Sequence, residues 1–219
     1  MRLHGRRLEH VREILGSAVR DELRVGVLGG KIGRGRVESI NDEALEMSVH
    51  LDSEPPAALP LRLVLALPRP KVLNRTIAAA ASMGIREIDL INSWRVEKSY
   101  WESPRLSDEN LRFQSILGLE QAGDTILPAI RQHRLFKPFV CDELPEIARG
   151  RLSVLAHPQS LHEAPRHITQ PVLLAIGPEG GFIEREAETF QQIGFTPVNL
   201  GERILRVETA LPYLIGRLF

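Results

Sequence analysis

The sequence predicts an α/β protein in two parts, a small amino-terminal β-barrel followed by a larger domain with helices on both faces of a parallel sheet. Short strand-like runs separated by turn signals fill the chain up to about residue 52. Three prolines then fall within nine residues, which excludes a helix or a central strand there. Beyond residue 61, continuous apolar runs alternate with helical patterns. We therefore place the domains at residues 1–53 and 61–219, joined by a linker at 54–60.

The first domain reads as a short helix and a meander of strands. Gly29-Gly30 and Asn41-Asp42 are typical hairpin turns and separate three runs of alternating apolar residues. A unit of about fifty residues buries too little apolar surface to be robust by itself. The predicted helix covers residues 10–15, and the strands cover 22–28, 31–40 and 44–51.

The second domain alternates apolar strands with helices that end at glycine. The strand at 61–67 is continuously apolar, as expected of a strand covered on both faces. Gly84 and Gly194 suit the ends of the helices that precede them. The predicted strands are 61–67, 85–91, 152–156, 172–176 and 197–200, and the predicted helices are 72–83, 107–121, 183–193 and 207–218.

Composition excludes several classes of protein. The chain has 219 residues, 28 basic and 28 acidic, so no bulk cationic field attracts a polyanion. Nine of the bases lie in residues 1–37 against four acids, a pattern more typical of a solvated surface than of a binding site. Cys141 is the single cysteine, which excludes an internal disulfide. No apolar run reaches the ~20 residues of a membrane span, and the first residues lack the apolar stretch of a signal peptide. We expect a cytoplasmic protein.

A glycine-rich bend after the strand at 172–176 is the first candidate site. Its sequence, Ile176-Gly-Pro-Glu-Gly-Gly-Phe182, has little side-chain bulk, so a ligand can approach the main chain and the amides that open the next helix. The alternative is a plain strand-to-helix turn. Glu179 at its centre, which we expect to be buried, favours a site.

A second candidate follows the strand at 197–200, in the sequence Leu200-Gly-Glu-Arg-Ile-Leu-Arg-Val-Glu-Thr-Ala210. Both segments follow predicted strands at the edge where open α/β sheets bind ligands. Glu208 and Thr209 suit the capping of the last helix. Arg206 does not, because a cation is unfavourable at a helix amino terminus, and we expect it to face an anion or Glu208.

Other familiar sites are absent from the sequence. No phosphate-binding loop of the Walker type and no Gly-x-Ser-x-Gly elbow occurs. Gly33-Arg-Gly resembles the start of a dinucleotide fingerprint but lacks the third glycine and lies in a predicted hairpin. His157, His162 and His167 recur every five residues, which is no helical metal-ligand spacing, so we expect no metal site.

The two candidate segments, about twenty residues apart, resemble the RsmE family, the 16S ribosomal RNA (uracil-N3) methyltransferases of the SPOUT superfamily. Residues 10–15, the Glu120-Gln-Ala-Gly123 segment and His157-Pro158 match other family positions. The resemblance implies a PUA-like RNA-binding barrel, a SPOUT domain whose carboxyl-terminal part is a trefoil knot, a homodimer and S-adenosylmethionine as cofactor.

The resemblance also implies a set of site residues. The expected cofactor contacts are Ile176, Gly177, Pro178, Glu179, Gly180, Gly181, Leu200, Gly201, Ile204, Leu205, Glu208 and Thr209. Loss of the uracil N3 proton needs a base or a nearby cation, and we expect Arg206 to position or stabilise the target, with Glu208 orienting Arg206. Independently of the resemblance, the charge of the first domain leads us to expect that RNA phosphates are gripped by Arg6, Arg7, Arg12, Lys31, Arg34 and Arg36. Lys71, where the family often has lysine, is expected to bind RNA as well.

One departure from the family affects the expected substrate. Asp124 stands where family members usually have arginine, and an acid there would repel a phosphate. Two alternative hypotheses about the function therefore stay open. One is a related methyltransferase that modifies another RNA position, such as a ribose 2′-hydroxyl. The other is a catalytically silent RNA-binding protein with the same fold.

Overall fold

The amino-terminal strands form an antiparallel sheet, as their alternating pattern predicts. In the computed structural model, which describes residues 1–219, this sheet has the order β1-β4-β3-β2. Helix α1, Arg6–Glu9, continues as one turn of π-helix at His10–Ile14 and buries Leu8 and Val11 against the sheet. The strands are β1 (Arg2–Leu3), β2 (Glu22–Gly26), β3 (Ile32–Ile40) and β4 (Leu45–Ser53).

The chain forms two compact units, and the first is not continuous in sequence. It comprises Met1–Pro56 together with Glu120–Ile126, whereas the second comprises Ala57–Leu119 and Leu127–Phe219. The predicted division at residues 54–60 assigned 120–126 to the second domain. These seven residues pack with the first unit because their side chains and carbonyls bond to it.

The structure of residues 120–126 explains why an acid, Asp124, stands where arginine was expected from the resemblance. This carboxylate is buried, and its Oδ1 accepts hydrogen bonds from the amides of Thr125 (2.6 Å) and Ile126 (3.1 Å). The amide of Gly29 donates to the carbonyl of Thr125 at 2.7 Å. Asp124 therefore stabilises a turn that docks on the β2–β3 hairpin and does not present its charge to a ligand.

The second unit is built on a six-stranded parallel sheet, which confirms the predicted α/β class. The strand order is β10-β8-β9-β5-β6-β7. Every residue of β9 is buried, because both faces of this central strand are covered. The strands are β5 (Leu61–Ala66), β6 (Glu87–Ile91), β7 (Ala129–His133), β8 (Leu152–Ala156), β9 (Val172–Ile176) and β10 (Thr196–Val198).

The helices of the second unit agree with the predicted ones within about two residues. None of the helices is both long enough and apolar enough to cross a bilayer. The sequence did not predict β7 or the short helix α4, because β7 is an edge strand of mixed polarity and the turns around α4 are irregular. The helices are α2 (Pro70–Ser82), α3 (Asp108–Ala122), α4 (Leu144–Ala148), α5 (Glu184–Gln192) and α6 (Val207–Leu218).

A buried charge network joins three adjacent strands of this sheet. Arg62 on β5 binds both carboxylate oxygens of Asp89 on β6, at 2.7 and 3.1 Å. His133 on β7 contacts the same carboxylate at 2.9 Å and stacks on Phe139. Burial lowers the pKa of Arg62, but the hydrogen bond and charge of Asp89 and the charge of Glu87 outweigh burial and raise that pKa above its usual value. The guanidinium and the carboxylate therefore depend on each other.

We expect Asp89→Asn to lower the free energy of unfolding by up to about 3–5 kcal/mol, because it removes the fully buried carboxylate and leaves the guanidinium of Arg62 with only the partly exposed Glu87 as an opposite charge. Urea denaturation followed by circular dichroism measures this change. Arg149→Ala is the matched control, since its ion pair with Glu146 is exposed and its loss should cost at most about 1 kcal/mol. Equal effects of the two substitutions would contradict the role given to the buried network.

Candidate functional site

The two candidate segments begin at the same edge of the parallel sheet. The last residue of β9, Ile176, pairs with Ala156 at the end of β8, and Ala156 pairs with Val198 at the end of β10. Since neighbouring strands lie about 4.8 Å apart, the ends of β9 and β10 are roughly 10 Å apart. Residues 177–183, the glycine loop, and residues 199–206, the second loop, therefore leave the same edge of the sheet, with β8 between the strands that they follow.

The glycine loop is a tight bend that closes on itself. The amide of Gly181 donates to the carbonyl of Pro178 at 2.7 Å, and Gly181 has a positive φ of 72°. A Cβ at Gly177 would lie only 2.9 Å from the amide nitrogen of Phe182, so only glycine fits this position. Gly177 and Pro178 are buried, whereas Glu179 is exposed. The expected burial of Glu179 is therefore wrong, because the bend turns its side chain outward.

Backbone amides in both loops lack an acceptor within the chain. The N–H groups of Glu179 and Gly180 donate no hydrogen bond, and neither does any N–H group of residues 202–208. Unpaired amides near a helix amino terminus attract polar and anionic groups. Both loops therefore offer main-chain donors to a ligand, as the sequence predicts.

A single carboxylate holds the glycine loop to the segment after β6. Glu186 lies in the first turn of α5 and is only 7% exposed. Its Oε1 accepts from the amide of Trp94 at 2.7 Å, and its Oε2 accepts from the amide of Ile183 at 3.0 Å. Because a buried carboxylate needs donors on both oxygens, Glu186 fixes the two segments together across β5.

Two further contacts join the glycine loop to its neighbours. The guanidinium of Arg95 donates to the carbonyl of Gly180. The amide of Arg69, which precedes α2, donates to Oε1 of Glu179 at 3.0 Å. Sequence reasoning missed Glu186, Arg95 and Arg69, since each acts on a loop that is distant in sequence.

The second loop is more open than the glycine loop. Leu205 is half-buried, whereas Ile204 is 80% exposed. The amide of Gly201 donates to the side chain of Asn199 at 2.9 Å, which shapes the start of the loop. Of the other residues predicted to contact the cofactor here, Leu200 is half-buried, and Gly201 and Thr209 are exposed.

Arg206 and Glu208 open helix α6 without touching each other. The carbonyl of Arg206 accepts from the amides of Thr209 and Ala210, and its side chain is exposed. No ion pair joins Arg206 to Glu208, so the expected orienting contact is wrong for this structure. Arg206 lies just before the first helical residue, and Glu208 lies within the first turn.

Two buried polar atoms have no hydrogen-bond partner. They are Oε2 of Glu208 and Oγ of Ser93, a residue just after β6 that is 4% exposed. Unpaired buried polar groups are rare in folded proteins and need a partner that the chain itself does not supply. Glu208 follows the second loop in sequence, and Ser93 precedes Trp94, whose amide binds Glu186 behind the glycine loop. Both positions fit a polar ligand at this edge. Sequence reasoning did not single out Ser93.

The predicted RNA-binding residues of the first unit are mostly paired with acids. Arg6 and Arg7 both bind Glu120 at 2.8 Å. Such exposed pairs contribute only about 0–1 kcal/mol each, yet they neutralise this surface. Arg36 in the first unit and Lys71 in α2 are exposed and have no such pair. The remaining pairs are Arg12–Asp42, Lys31–Glu54 and Arg34–Glu22.

We expect Glu186→Gln to loosen the link between the two segments, because an amide side chain can accept from only one of the two backbone donors. Hydrogen exchange at the amides of Trp94 and Ile183 measures the effect. A charged hydrogen bond contributes about 1.5–3 kcal/mol, so exchange at one of these amides should rise roughly 10- to 150-fold. Glu188→Gln on the exposed side of α5 is the control and should leave both rates unchanged.

Comparison with known proteins identifies a family that the chain matches. Residues 55–218 match the model of the RNA methyltransferase domain family. The ribosomal RNA small subunit methyltransferase E of Treponema pallidum is 30% identical over 211 residues, which cover 92% of this chain and 77% of the relative. Ribosomal RNA small subunit methyltransferase E 1 of Borreliella burgdorferi is 26% identical over 212 residues, which cover 95% of this chain and 87% of the relative.

Solved structures share the fold over nearly the whole chain. A ribosomal RNA small subunit methyltransferase E from Neisseria gonorrhoeae, bound to S-adenosylmethionine, matches with a TM-score of 0.74 and 22% identity, covering 98% of this chain and 89% of the other. A probable rRNA methyltransferase from Porphyromonas gingivalis matches with a TM-score of 0.68 and 24% identity, with the same coverage. Together with the matching family model and the relative from Treponema pallidum, this fold shows that the chain belongs to the RNA methyltransferase domain family and, within it, to the RsmE family.

Proposed function

We propose that the protein transfers the methyl group of S-adenosylmethionine to N3 of a uridine in the 16S ribosomal RNA of the small ribosomal subunit. Membership of the RsmE family supports the reaction class. The observation that carries the proposal is the presence of two loops with unpaired main-chain amides at the same carboxyl edge of the sheet. Such an edge is where α/β sheets bind their ligands. A reaction on ribosomal RNA is consistent with a cytoplasmic protein.

The residues at this edge fit S-adenosylmethionine. The glycine loop has no side chain that would fill the space beside Gly181, where a Cβ would contact nothing within 4 Å. Free amides suit the carboxylate and hydroxyl groups of the cofactor. The unpaired Oε2 of Glu208 suits a donor or a positive charge. The proposed contacts are residues 176–181 of the first segment with Leu200, Gly201, Ile204, Leu205, Glu208 and Thr209 of the second.

The cofactor, when bound, supplies an electrophilic methyl group, so the protein has to align the acceptor nitrogen and exclude water. Uracil N3 must also lose a proton, and the developing negative charge is stabilised by a nearby cation. Arg206 is exposed and carries no ion pair, so its guanidinium is available for this role. Glu208 then acts at the cofactor end of the site, since it does not bind Arg206.

The four-stranded sheet of the first unit is proposed to close into the PUA-like RNA-binding barrel of the family. The bases expected to bind RNA lie on the helix at residues 6–14, in the turn between β2 and β3, and on β3. Their acid partners are themselves exposed, so a phosphate can replace each carboxylate at small cost. RNA binding by this surface would then depend on salt concentration.

The path of the last residues supports the trefoil knot of the SPOUT fold. Strand β10 forms one edge of the sheet, beyond β8. Helix α6 follows it and packs against α2, the helix that follows the central strand β5. The chain therefore returns from the edge of the sheet to its middle after the second loop, which is the return that a knot requires.

A homodimer is supported by the exposed face of α6. Pro212, Tyr213 and Gly216 share this face and line an open cavity of about 420 Å³. Glycine within a helix costs about 1 kcal/mol relative to alanine, yet a Cβ at Gly216 would contact nothing within 4 Å. Nothing within the chain requires glycine there, whereas a closely packed partner helix would.

Methyl transfer tests the proposed reaction directly. We expect purified protein to transfer labelled methyl from S-adenosylmethionine to small ribosomal subunits from a strain that lacks the gene, and nucleoside mass spectrometry to identify 3-methyluridine.

Gly177→Ala should abolish cofactor binding in calorimetry, because the added Cβ displaces the glycine loop. Its unfolding curve serves as the control for folding. In the methyl-transfer assay, a 2′-O-methylated nucleoside would indicate a methyltransferase that modifies a ribose instead. RNA binding without methyl transfer would indicate a catalytically silent RNA-binding protein.

Tyr213→Glu tests the proposed dimer, because it places a charge in an apolar contact that would be desolvated. Light scattering should give twice the 24.6 kDa chain mass for the unmodified protein and a single chain mass for the variant. Gln191→Glu on the exposed side of α5 is the matched control and should stay dimeric. A single chain mass for the unmodified protein would contradict the dimer.

A further inference from the structure

Three neighbouring strands end in a strongly basic surface. The segments that follow β5, β6 and β7 are residues 67–71, 92–98 and 134–137, and we call them the basic edge. These strands are adjacent in the sheet, so their following segments leave it together. The only acid among them is Glu97, against six bases, which are Arg69, Lys71, Arg95, Lys98, Arg134 and Lys137.

No base of the basic edge forms an ion pair within the chain, whereas five of the six bases singled out in the first unit do. The guanidinium of Arg95 donates to a carbonyl, and that of Arg134 lies 5.5 Å above the ring of Trp101. Neither contact cancels a charge. The positive field of this edge is therefore available to phosphate groups.

An aromatic side chain projects from the middle of the basic edge. Trp94 is 80% exposed, whereas Trp101, the other tryptophan, is 7% exposed. The backbone of Trp94 is fixed by its hydrogen bond to the buried carboxylate of Glu186. Leu135, in the segment after the adjacent strand, is 67% exposed. A rigid backbone thus holds a large apolar side chain in solvent, where packing of the core does not explain it.

We propose that Trp94 stacks on a nucleobase of the RNA that the enzyme methylates, while the surrounding bases hold the flanking phosphates. This inference rests on the proposed function and adds a recognition residue to it. Exposed aromatic rings among basic side chains are the usual means by which proteins hold unpaired RNA bases. Because Glu186 also binds the glycine loop, Trp94 keeps a fixed position relative to the proposed cofactor contacts.

Charge favours RNA over a second copy of the chain as the occupant of this surface. A two-fold symmetric interface centred here would bring the same patch of both copies together. Six bases without an ion pair would then face six others, and like charges disfavour association. RNA, a polyanion, has the opposite charge and is attracted by each of the six bases.

Tryptophan fluorescence tests the stacking directly. Titration with an unmethylated 16S ribosomal RNA transcript, and separately with oligouridylate, should quench the emission of the unmodified protein. Trp94→Phe should remove the quench, because the remaining tryptophan, Trp101, is buried. A quench of equal size in Trp94→Phe would overturn the proposal.

Binding and activity give the second measurement. Trp94→Ala should weaken binding of the 16S transcript roughly 5- to 150-fold, the range found when a stacking residue is removed, and Trp94→Phe should retain most of the affinity. Leu161→Ala is the matched control, since Leu161 is 95% exposed after β8, outside the basic edge. Calorimetry with S-adenosylmethionine should give the same affinity for all three variants.

The outcomes separate this inference from the proposed function. If Trp94→Ala binds and methylates RNA as well as the unmodified protein does, the stacking role is wrong and the methyltransferase proposal is unaffected. If Trp94→Ala changes the mass in light scattering, a second copy covers this surface and the stacking role is likewise wrong. If the unmodified protein neither binds nor methylates the RNA, both proposals fail together.

Discussion

The carboxylate of Glu186 holds the candidate site together. Parallel strands bring six loops to one edge of the sheet, but pairing of the strands fixes only where each loop begins. Glu186 accepts one backbone amide from the segment after β6 and one from the end of the glycine loop. Because it is buried, water cannot replace either donor, and both are needed to satisfy its charge. Glu186, together with the contact of Arg95 with the carbonyl of Gly180, thus sets the relative position of the proposed cofactor loop and of Ser93 and Trp94.

Charge is distributed unequally between the surfaces that bear bases. In the first unit, acids such as Glu120 and Asp42 neutralise most of the exposed bases. At the basic edge none of the six bases has an ion pair, although the whole chain has no net charge. A polyanion is therefore attracted most strongly to the edge that carries the candidate site. Steering RNA to that edge would bring the target base near the methyl donor without a globally basic protein.

The residue that departs most clearly from the family has a structural explanation. Asp124 caps a turn in the segment at 120–126, and this segment packs with the first unit although α3 leads into it. The same segment supplies Glu120, which binds Arg6 and Arg7. The acid is thus turned toward backbone amides and not toward a phosphate. The departure changes how the segment is stabilised, and it does not argue against RNA as the substrate.

The sequence by itself determined the α/β class, nearly all the strands of both units and the two candidate loops, because hydrophobic periodicity and glycine or proline punctuation are local signals. It missed β1, which has only two residues, and β7, whose mixed polarity resembles a loop. It also wrongly expected Glu179 to be buried and Glu208 to pair with Arg206. Only the tertiary structure decided which side chains act on distant segments. Glu186 looks like an ordinary helix-opening acid, and Trp94 looks like a core residue, until the fold places one in the interior and the other in solvent. Such roles depend on contacts between residues some ninety positions apart, and no local pattern records them.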